Sequence, residues 1–233
     1  MYFDWTYVVL VLPCILFSLI ASSSVNSTFK KYSQQYSRRG ITGAQAAERV
    51  LRANGVHGVQ IARVSGNLTD HFDPKANVIR LSDSVYGSTS TAAIGVACHE
   101  AGHAVQYAQS YAPIKLRAAI IPVTNLGSKL AMPLILIGLL LSAFESVSYG
   151  FVYFGIACFG LSLVFQVITL PVEFNASRRA IRAIEDGEIL TAEEQTGAKK
   201  TLTAAAMTYV AATAVALAQL LRLLVLFGRR RDD

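Results

Sequence analysis

The central stretch of the chain reads Ala97-Cys98-His99-Glu100-Ala101-Gly102-His103-Ala104-Val105-Gln106-Tyr107-Ala108-Gln109. It contains the pattern HExxH, in which His99 and His103 are four positions apart. On an α-helix two such residues lie on the same face, about 5.4 Å apart along the axis. Both imidazoles can then reach one zinc ion, and Glu100 beside them can take a proton from a zinc-bound water. This stretch therefore predicts the active-site helix of a zinc peptidase.

A chance occurrence of HExxH is the alternative, and the surroundings argue against it. The chain has only four histidines, and two of them fall into this pattern. Ser88, Thr89 or Ser90 can cap the start of an alanine-rich helix here, and Pro113 can stop it. Two histidines and a glutamate are costly to bury in an apolar helix unless they bind something. A metal site is the favoured interpretation.

Composition indicates a membrane protein. Of 233 residues, 53% are hydrophobic and 15% are charged, and the mean hydropathy is +0.42. These values are typical of a polytopic membrane protein with a modest water-facing part, whose main partner is the lipid bilayer. The net charge of +6 is not clustered with aromatic residues as a nucleic-acid-binding stripe would be and is interpreted as a positive belt beside the membrane, so no nucleic-acid partner is expected. Three cysteines give no even framework for disulfides, and Cys98 is expected to serve packing.

Four apolar runs predict four transmembrane helices, at about residues 5–23, 118–145, 149–170 and 204–227. Each is long enough to cross a hydrocarbon core of about 30 Å. A cleavable signal is the alternative for the first run. Asp4 precedes that run and no Lys or Arg does, so the positive region that starts a signal peptide is missing. We therefore predict a retained first helix.

The segment between the first span and the motif predicts a small sheet. Residues 42–54 form an amphipathic helix pattern that Gly55 ends. Strand-like runs follow at residues 56–64, 68–72 and 78–82, separated by turn signals. The simplest interpretation is a short antiparallel sheet. Its last strand would be an open edge that pairs with an extended substrate, or else part of a structural hairpin.

The predicted fold class is therefore mainly α: a polytopic membrane protein with about four transmembrane helices and a small α+β zinc-peptidase domain. We divide it into a first transmembrane helix (1–24), a catalytic part with the HExxH helix (25–117), a transmembrane hairpin (118–170), a third-ligand segment (171–203), and a last transmembrane helix with its tail (204–233). Four spans put segments 24–117 and 171–203 on the same side of the membrane. The HExxH helix and the third-ligand segment can therefore meet.

A catalytic zinc has three protein ligands and one open position, so two histidines are not enough. Glu173 is the best-placed third ligand, because it follows Pro171 where the third span emerges. A lone carboxylate so close to apolar membrane sequence is costly unless it has a partner. Pairing with Arg178 or Arg179 is the alternative role. We expect one zinc ion per chain, held by His99, His103 and Glu173.

The sequence also resembles a known family, the YugP-type bacterial membrane neutral zinc metallopeptidases, which are gluzincins. The resemblance rests on Asp70-His71-Phe72-Asp73-Pro74, Arg80-Leu81-Ser82, Val85-Tyr86, residues 97–106, and Leu170-Pro171-Val172-Glu173-Phe174-Asn175-Ala176-Ser177-Arg178-Arg179-Ala180. It covers nearly the whole chain and implies zinc metallopeptidase activity, without a known substrate.

More distantly the sequence looks like the HtpX-type and CAAX-prenyl membrane proteases, which carry the third ligand in a Glu-x-x-Ala-Asp pattern. Here Ser177 stands in place of that aspartate. A hydrogen-bond partner for a histidine ligand would then come from Asp73 or Asn175 instead.

In the mechanism that these residues imply, Glu100 takes the water proton and hands it to the leaving amine. The oxyanion needs a donor besides zinc, and the candidates are His71, Tyr86 and Arg178 or Arg179. We favour His71 because it lies in the matching Asp-His-Phe-Asp-Pro stretch. A surface turn histidine is the alternative, and His57 is taken as incidental.

The distribution of basic residues predicts the membrane orientation. Twelve lie on the active-site side near span ends: Lys30, Lys31, Arg38, Arg39, Lys115, Arg117, Lys129, Arg178, Arg179, Arg182, Lys199 and Lys200. The other side has four, namely Arg222, Arg229, Arg230 and Arg231. The positive-inside rule then puts the catalytic side in the cytoplasm of a bacterial cell, with the chain as a multi-pass protein of the cell membrane.

Two other functions are compatible with the sequence. An intramembrane protease of the site-two type would carry HExxH within a membrane helix, but residues 88–111 are too polar for a lipid-facing span. A non-catalytic zinc-binding membrane scaffold would have no use for Glu100 as a base. For a peptidase, the expected partners are protein or peptide substrates, which could include membrane proteins, and a partner protein is compatible with the sequence.

Overall fold

Helices dominate the computed structural model, which describes residues 4–228. They are α1 (Leu12–Tyr32), which a π-helical turn (Tyr7–Val11) precedes, α2 (Gly43–Ala53), α3 (Thr91–Ala108), α4 (Ala112–Leu140), α5 (Glu145–Asp186) and α6 (Ala192–Gly228). Three short strands lie between α2 and α3: β1 (Gln60–Val64), β2 (His71–Asp73) and β3 (Val78–Ser82). The predicted class, mainly α with a small α+β part, is confirmed.

Four helices in this part of the chain are long and apolar enough to cross a membrane: Tyr7–Tyr32, Ala112–Leu140, Ser146–Asp186 and Ala192–Gly228. Each corresponds to one predicted apolar run. The third does not end with its apolar run, because α5 passes through Pro171 and continues to Asp186. Glu173 therefore stands on the same helix as the third span. Arg229, Arg230 and Arg231, which the orientation argument counted, lie outside the described residues.

Residues 4–20, 116–170 and 209–228 form a helical unit. Small residues allow close helix packing in it: a Cβ added at Gly155 would lie 2.8 Å from the Ala131 carbonyl oxygen. Asp4 Oδ2 accepts a hydrogen bond from Arg222 Nε at 2.8 Å. The charge of Arg222 in the last apolar run is therefore paired. A buried apolar cluster completes the unit: Ile135, Val152, Ile156, Leu223 and Phe227.

Residues 21–115 and 171–208 form a mixed unit of helices and strands. In this unit, α2 confirms the predicted amphipathic helix. Thr42 caps its start in a capping box with Gln45, and Gly55 follows its end with φ +66°, a left-handed conformation that favours glycine. One face of α2 is buried and packs on α3: Ala46, Ala47, Val50 and Leu51.

The sheet corrects two predictions. Its strand order is β1-β3-β2. β3 pairs antiparallel with β2, as expected, but parallel with β1, so the sheet is mixed. β3 is also the central strand, and the prediction that the last strand is an open edge is wrong. The physical reason is burial: four of the five β3 residues are buried, as in a strand covered on both faces, whereas β1 and β2 are half exposed.

The α3 helix lies in the core of the mixed unit. Ser90 caps its start by accepting a hydrogen bond from the Ala93 N–H. The helix ends at Ala108, and Pro113 lies in the first turn of α4. Gly102 faces α5 so closely that an added Cβ would lie 2.8 Å from the Ala176 carbonyl oxygen. A residue without a side chain is therefore required where the two helices meet.

Replacing Gly102 with alanine is expected to destabilise the protein by about 1–3 kcal/mol, because the methyl group would push α3 away from the α5 backbone. The thermal unfolding of the detergent-purified chain measures this loss. Gly87→Ala is the matched control, since a Cβ added there has no atom within 4 Å. Equal unfolding temperatures for the two variants would contradict the close approach of α3 and α5.

Candidate metal centre

Three potential metal ligands converge in the mixed unit. One donor atom from each of His99, His103 and Glu173 lies within 4.8 Å of the other two. Glu173 Oε2 is 3.2 Å from His99 Nε2 and 3.5 Å from His103 Nε2. Donors held at about 2.0–2.1 Å from a tetrahedral zinc ion are themselves about 3.3 Å apart. The observed spacing therefore fits three ligands of a shared zinc ion.

Two helices bring these ligands together. The i, i+4 spacing on α3 puts both imidazoles on one face, with ring centroids 4.6 Å apart and planes at 84°. α5 supplies Glu173 two residues after Pro171. All three groups are largely buried, with Glu173 only 2% exposed. A buried carboxylate needs a partner. The two imidazoles contact Glu173 on one side, and a cation bound by all three groups would balance its charge.

The second nitrogen of each imidazole faces a protein side chain. His99 Nδ1 lies 3.1 Å from Ser177 Oγ, and His103 Nδ1 lies 3.0 Å from Gln106 Oε1. Histidine ligands of metals generally make such a contact, which sets the ring orientation. Both rings therefore turn their Nδ1 edges to the protein and their Nε2 edges to Glu173.

These contacts revise the predicted hydrogen-bond partners. Ser177 itself contacts His99, although it replaces the aspartate of the more distant families. Asn175 contacts a histidine only through Gln106, because its Oδ1 accepts a hydrogen bond from Gln106 Nε2 at 2.9 Å. The prediction for Asp73 is wrong: its Oδ2 accepts from Arg80 Nη1 at 2.9 Å, and two turn N–H groups donate to its Oδ1.

The surrounding charges favour a cation. Burial acts to lower the pKa of His103, but hydrogen bonding to Glu173, the charges of Glu100 and Glu173 and the Gln106 contact together raise it above its usual value. Glu100 is 8% exposed, and its charge also acts on Asp70. Burial raises the pKa of Asp70 against the hydrogen bonds from Ser82. The charge of Glu100 thus acts on both His103 and Asp70.

The candidate oxyanion residues have different surroundings. His71 is exposed on β2, and its Nδ1 lies 2.9 Å from the Thr69 carbonyl oxygen. Tyr86 packs against the core of the mixed unit. Arg178 is exposed, whereas Arg179 donates to Asn175 and Gln109 at 2.7 Å each. The catalytic role of His71 stays a prediction.

Sequence reasoning missed the role of Gln106. It entered the prediction only as one of the polar residues of segment 88–111 and as part of the stretch that carries the family resemblance, with no role of its own. The available signal was its position three residues after His103, because i, i+3 side chains are neighbours on a helix. Cys98, by contrast, is fully buried, and burial raises the pKa of its thiol. It is a packing residue, as predicted.

Comparison with known proteins agrees with this geometry. A family model described as "Putative neutral zinc metallopeptidase" matches residues 7–228. The protein named "Putative membrane protease YugP" of Bacillus subtilis (strain 168) is 43% identical over 227 residues, which cover 97% of this chain and 99% of that protein. No solved structure matches the chain. The predicted family resemblance is confirmed, and the matched region includes all three potential ligands.

Replacing Glu173 with alanine is expected to remove most of the bound zinc, because two imidazoles alone leave the ion one protein ligand short. Metal analysis of the detergent-purified protein, expressed per chain, measures the effect. Glu193→Ala is the matched control, since that carboxylate is 79% exposed and pairs with Arg38 at the surface. Zinc retained in full by the Glu173 variant would identify a different third ligand.

Proposed function

The chain belongs to the neutral zinc metallopeptidase family, and on this premise we propose that it is a membrane zinc metalloendopeptidase that hydrolyses peptide bonds of protein substrates at the membrane interface. The observation that carries the proposal is the approach of Glu173 Oε2 to both imidazole Nε2 atoms, at 3.2 and 3.5 Å. The proposed site is of the gluzincin type, with one zinc ion per chain held by the HExxH histidines and a later glutamate.

The chemistry divides between the metal and Glu100. Zinc, when bound, supplies a Lewis acid for the water and for the scissile carbonyl. Glu100 takes a proton from the attacking water and delivers it to the nitrogen of the leaving amine, which restores the carboxylate after each turnover. Its low exposure and its electrostatic contact with His103 support this role.

An interfacial site is supported by the distribution of apolar helices. Among the described residues the four candidate membrane spans are the segments that contain α1, α4, α5 and α6, and α3 is not one of them. α3 packs instead against α2 and strands of the sheet. A site-two-type protease would carry HExxH in a membrane helix. The present arrangement favours cleavage next to the membrane over cleavage within it.

The proposal also covers substrate and location. β2 is an edge strand that packs against α3, so an extended peptide can pair with its open side. The excess of basic residues beside the mixed unit supports a cytoplasmic catalytic side in the bacterial cell membrane. Substrates would then be proteins or peptides that reach this side of the bilayer, membrane proteins among them.

Replacing Glu100 with glutamine is expected to lower kcat by about 10²–10⁴-fold, because the amide cannot take the water proton, while the zinc content stays unchanged. Cleavage of a pool of fluorogenic peptides by the detergent-purified protein measures kcat. Glu48→Gln, at an exposed carboxylate that pairs with Arg52, is the control. A Glu100→Gln protein with full biological activity would support the scaffold function instead.

His71 is the proposed oxyanion donor. Because the Thr69 carbonyl only accepts, Nδ1 carries the proton, and Nε2 can donate only when the ring is protonated. His71→Asn is expected to lower kcat by about 10²–10³-fold without loss of zinc. His57→Asn, at the exposed histidine taken as incidental, should leave kcat unchanged. An unchanged kcat for the His71 variant would mean that His71 is only a surface residue.

A further inference from the structure

Gln106 is a buried amide whose orientation the structure determines. The residue is 0% exposed. Its Nε2 donates to the Val172 carbonyl oxygen at 2.8 Å and to Asn175 Oδ1 at 2.9 Å. A backbone carbonyl can only accept a hydrogen bond, so the amide nitrogen must face α5. The amide oxygen therefore faces His103 Nδ1, at 3.0 Å.

The neighbouring amide of Asn175 is fixed by the same reasoning. Arg179 Nε donates to Asn175 Oδ1 at 2.7 Å, and a guanidinium group can only donate. The oxygen of Asn175 must therefore face Arg179 and Gln106. Arg179 is itself held, because Nη1 donates to Gln109 Oε1 at 2.7 Å and the guanidinium lies 6.0 Å from the Tyr111 ring centroid.

We propose that Gln106 is a positioning residue that selects the zinc-binding tautomer of His103, and that Asn175 and Arg179 hold it in the required orientation. An acceptor oxygen opposite Nδ1 requires the ring proton to be on Nδ1. The Nε2 lone pair of the neutral ring then points toward Glu173. This inference rests on the proposed zinc site and adds the residues that prepare one of its ligands.

The two histidines are prepared differently. The partner of His99 is the hydroxyl of Ser177, which can donate or accept and so does not dictate a tautomer. The partner of His103 is an amide oxygen, which accepts only. Two other side chains, Asn175 and Arg179, and the backbone carbonyl of Val172 fix the orientation of that amide. Zinc affinity should therefore depend more on Gln106 than on Ser177.

The first test measures zinc affinity of the full-length, detergent-purified protein by competition with a chromogenic chelator. Gln106→Leu is expected to weaken binding by about 10–100-fold, the usual effect of losing such a partner. Gln106→Glu keeps an acceptor oxygen opposite Nδ1 but loses both donors to α5. Its buried charge is expected to lower the unfolding temperature, while the folded protein should bind zinc nearly as tightly as wild type. Ser177→Ala should have a smaller effect than Gln106→Leu.

These variants distinguish two roles of Gln106: orienting the His103 ring, and connecting α3 to α5. If Gln106 only connected α3 to α5, the leucine and glutamate variants would lose zinc equally, because both lack the donors to Val172 and Asn175. Equal losses would overturn the inference, as would wild-type affinity in Gln106→Leu. A protein with this pattern of affinities but no peptidase activity would keep the inference and overturn the proposed function. Absence of zinc in the wild type would overturn both.

A second measurement needs no Gln106 variant and guards against misfolding. The chain has four histidines, so ¹⁵N-histidine labelling of the zinc-loaded protein gives a simple spectrum. The ring signals lost in His103→Gln identify this residue. The expected result is a proton on Nδ1 and the metal on Nε2 of His103. Ligation through Nδ1 would overturn the inference.

Discussion

The candidate site depends on the close approach of the α3 and α5 backbones at Gly102. Because Gly102 has no side chain, the Ala176 carbonyl lies directly against α3. The residues on either side of Ala176 then contact α3 at two positions along its axis. Ser177 contacts His99, and Asn175 contacts Gln106. Glu173, one turn earlier, faces both histidines. One backbone contact thus positions the third ligand and the hydrogen-bond partners of the other two.

The sequence predicted what depends on local spacing and missed what depends on distant contacts. His99 and His103 were identified because an i, i+4 pair lies on one helix face. β3 was predicted at the observed residues because the side chains that it buries are adjacent in the sequence. The pairing of β1 with β3, however, joins residues far apart in sequence, and the order of strands is not encoded locally. Gln106 is an intermediate case: its contact with His103 is local and its i, i+3 spacing could have indicated it, whereas its partners Val172 and Asn175 lie on another helix.

Glu173 was predicted from its place after the third span and from the cost of a lone carboxylate there, and the continuation of α5 through Pro171 adds its helical register. A proline inside a helix removes one N–H donor and crowds the preceding turn, so the sequence allowed either a kink or a new helix at this point. The structure has one helix from Glu145 to Asp186. Glu173 and its neighbours therefore keep helical spacing, which places Glu173, Ala176 and Ser177 along one face.

The charges of the ligand set give a reason for serine in place of aspartate at position 177. In the proposed site, the two charges of a zinc ion held by the neutral imidazoles of His99 and His103 would be balanced by two carboxylates, Glu173 as ligand and Glu100 as base. A third full charge from an aspartate at position 177 would leave a buried excess of negative charge, which is costly where water is scarce. Ser177 and Gln106 orient the rings without adding charge. In the proposed mechanism, a zinc ion would then keep more of its Lewis acidity, because fewer anions would offset its charge.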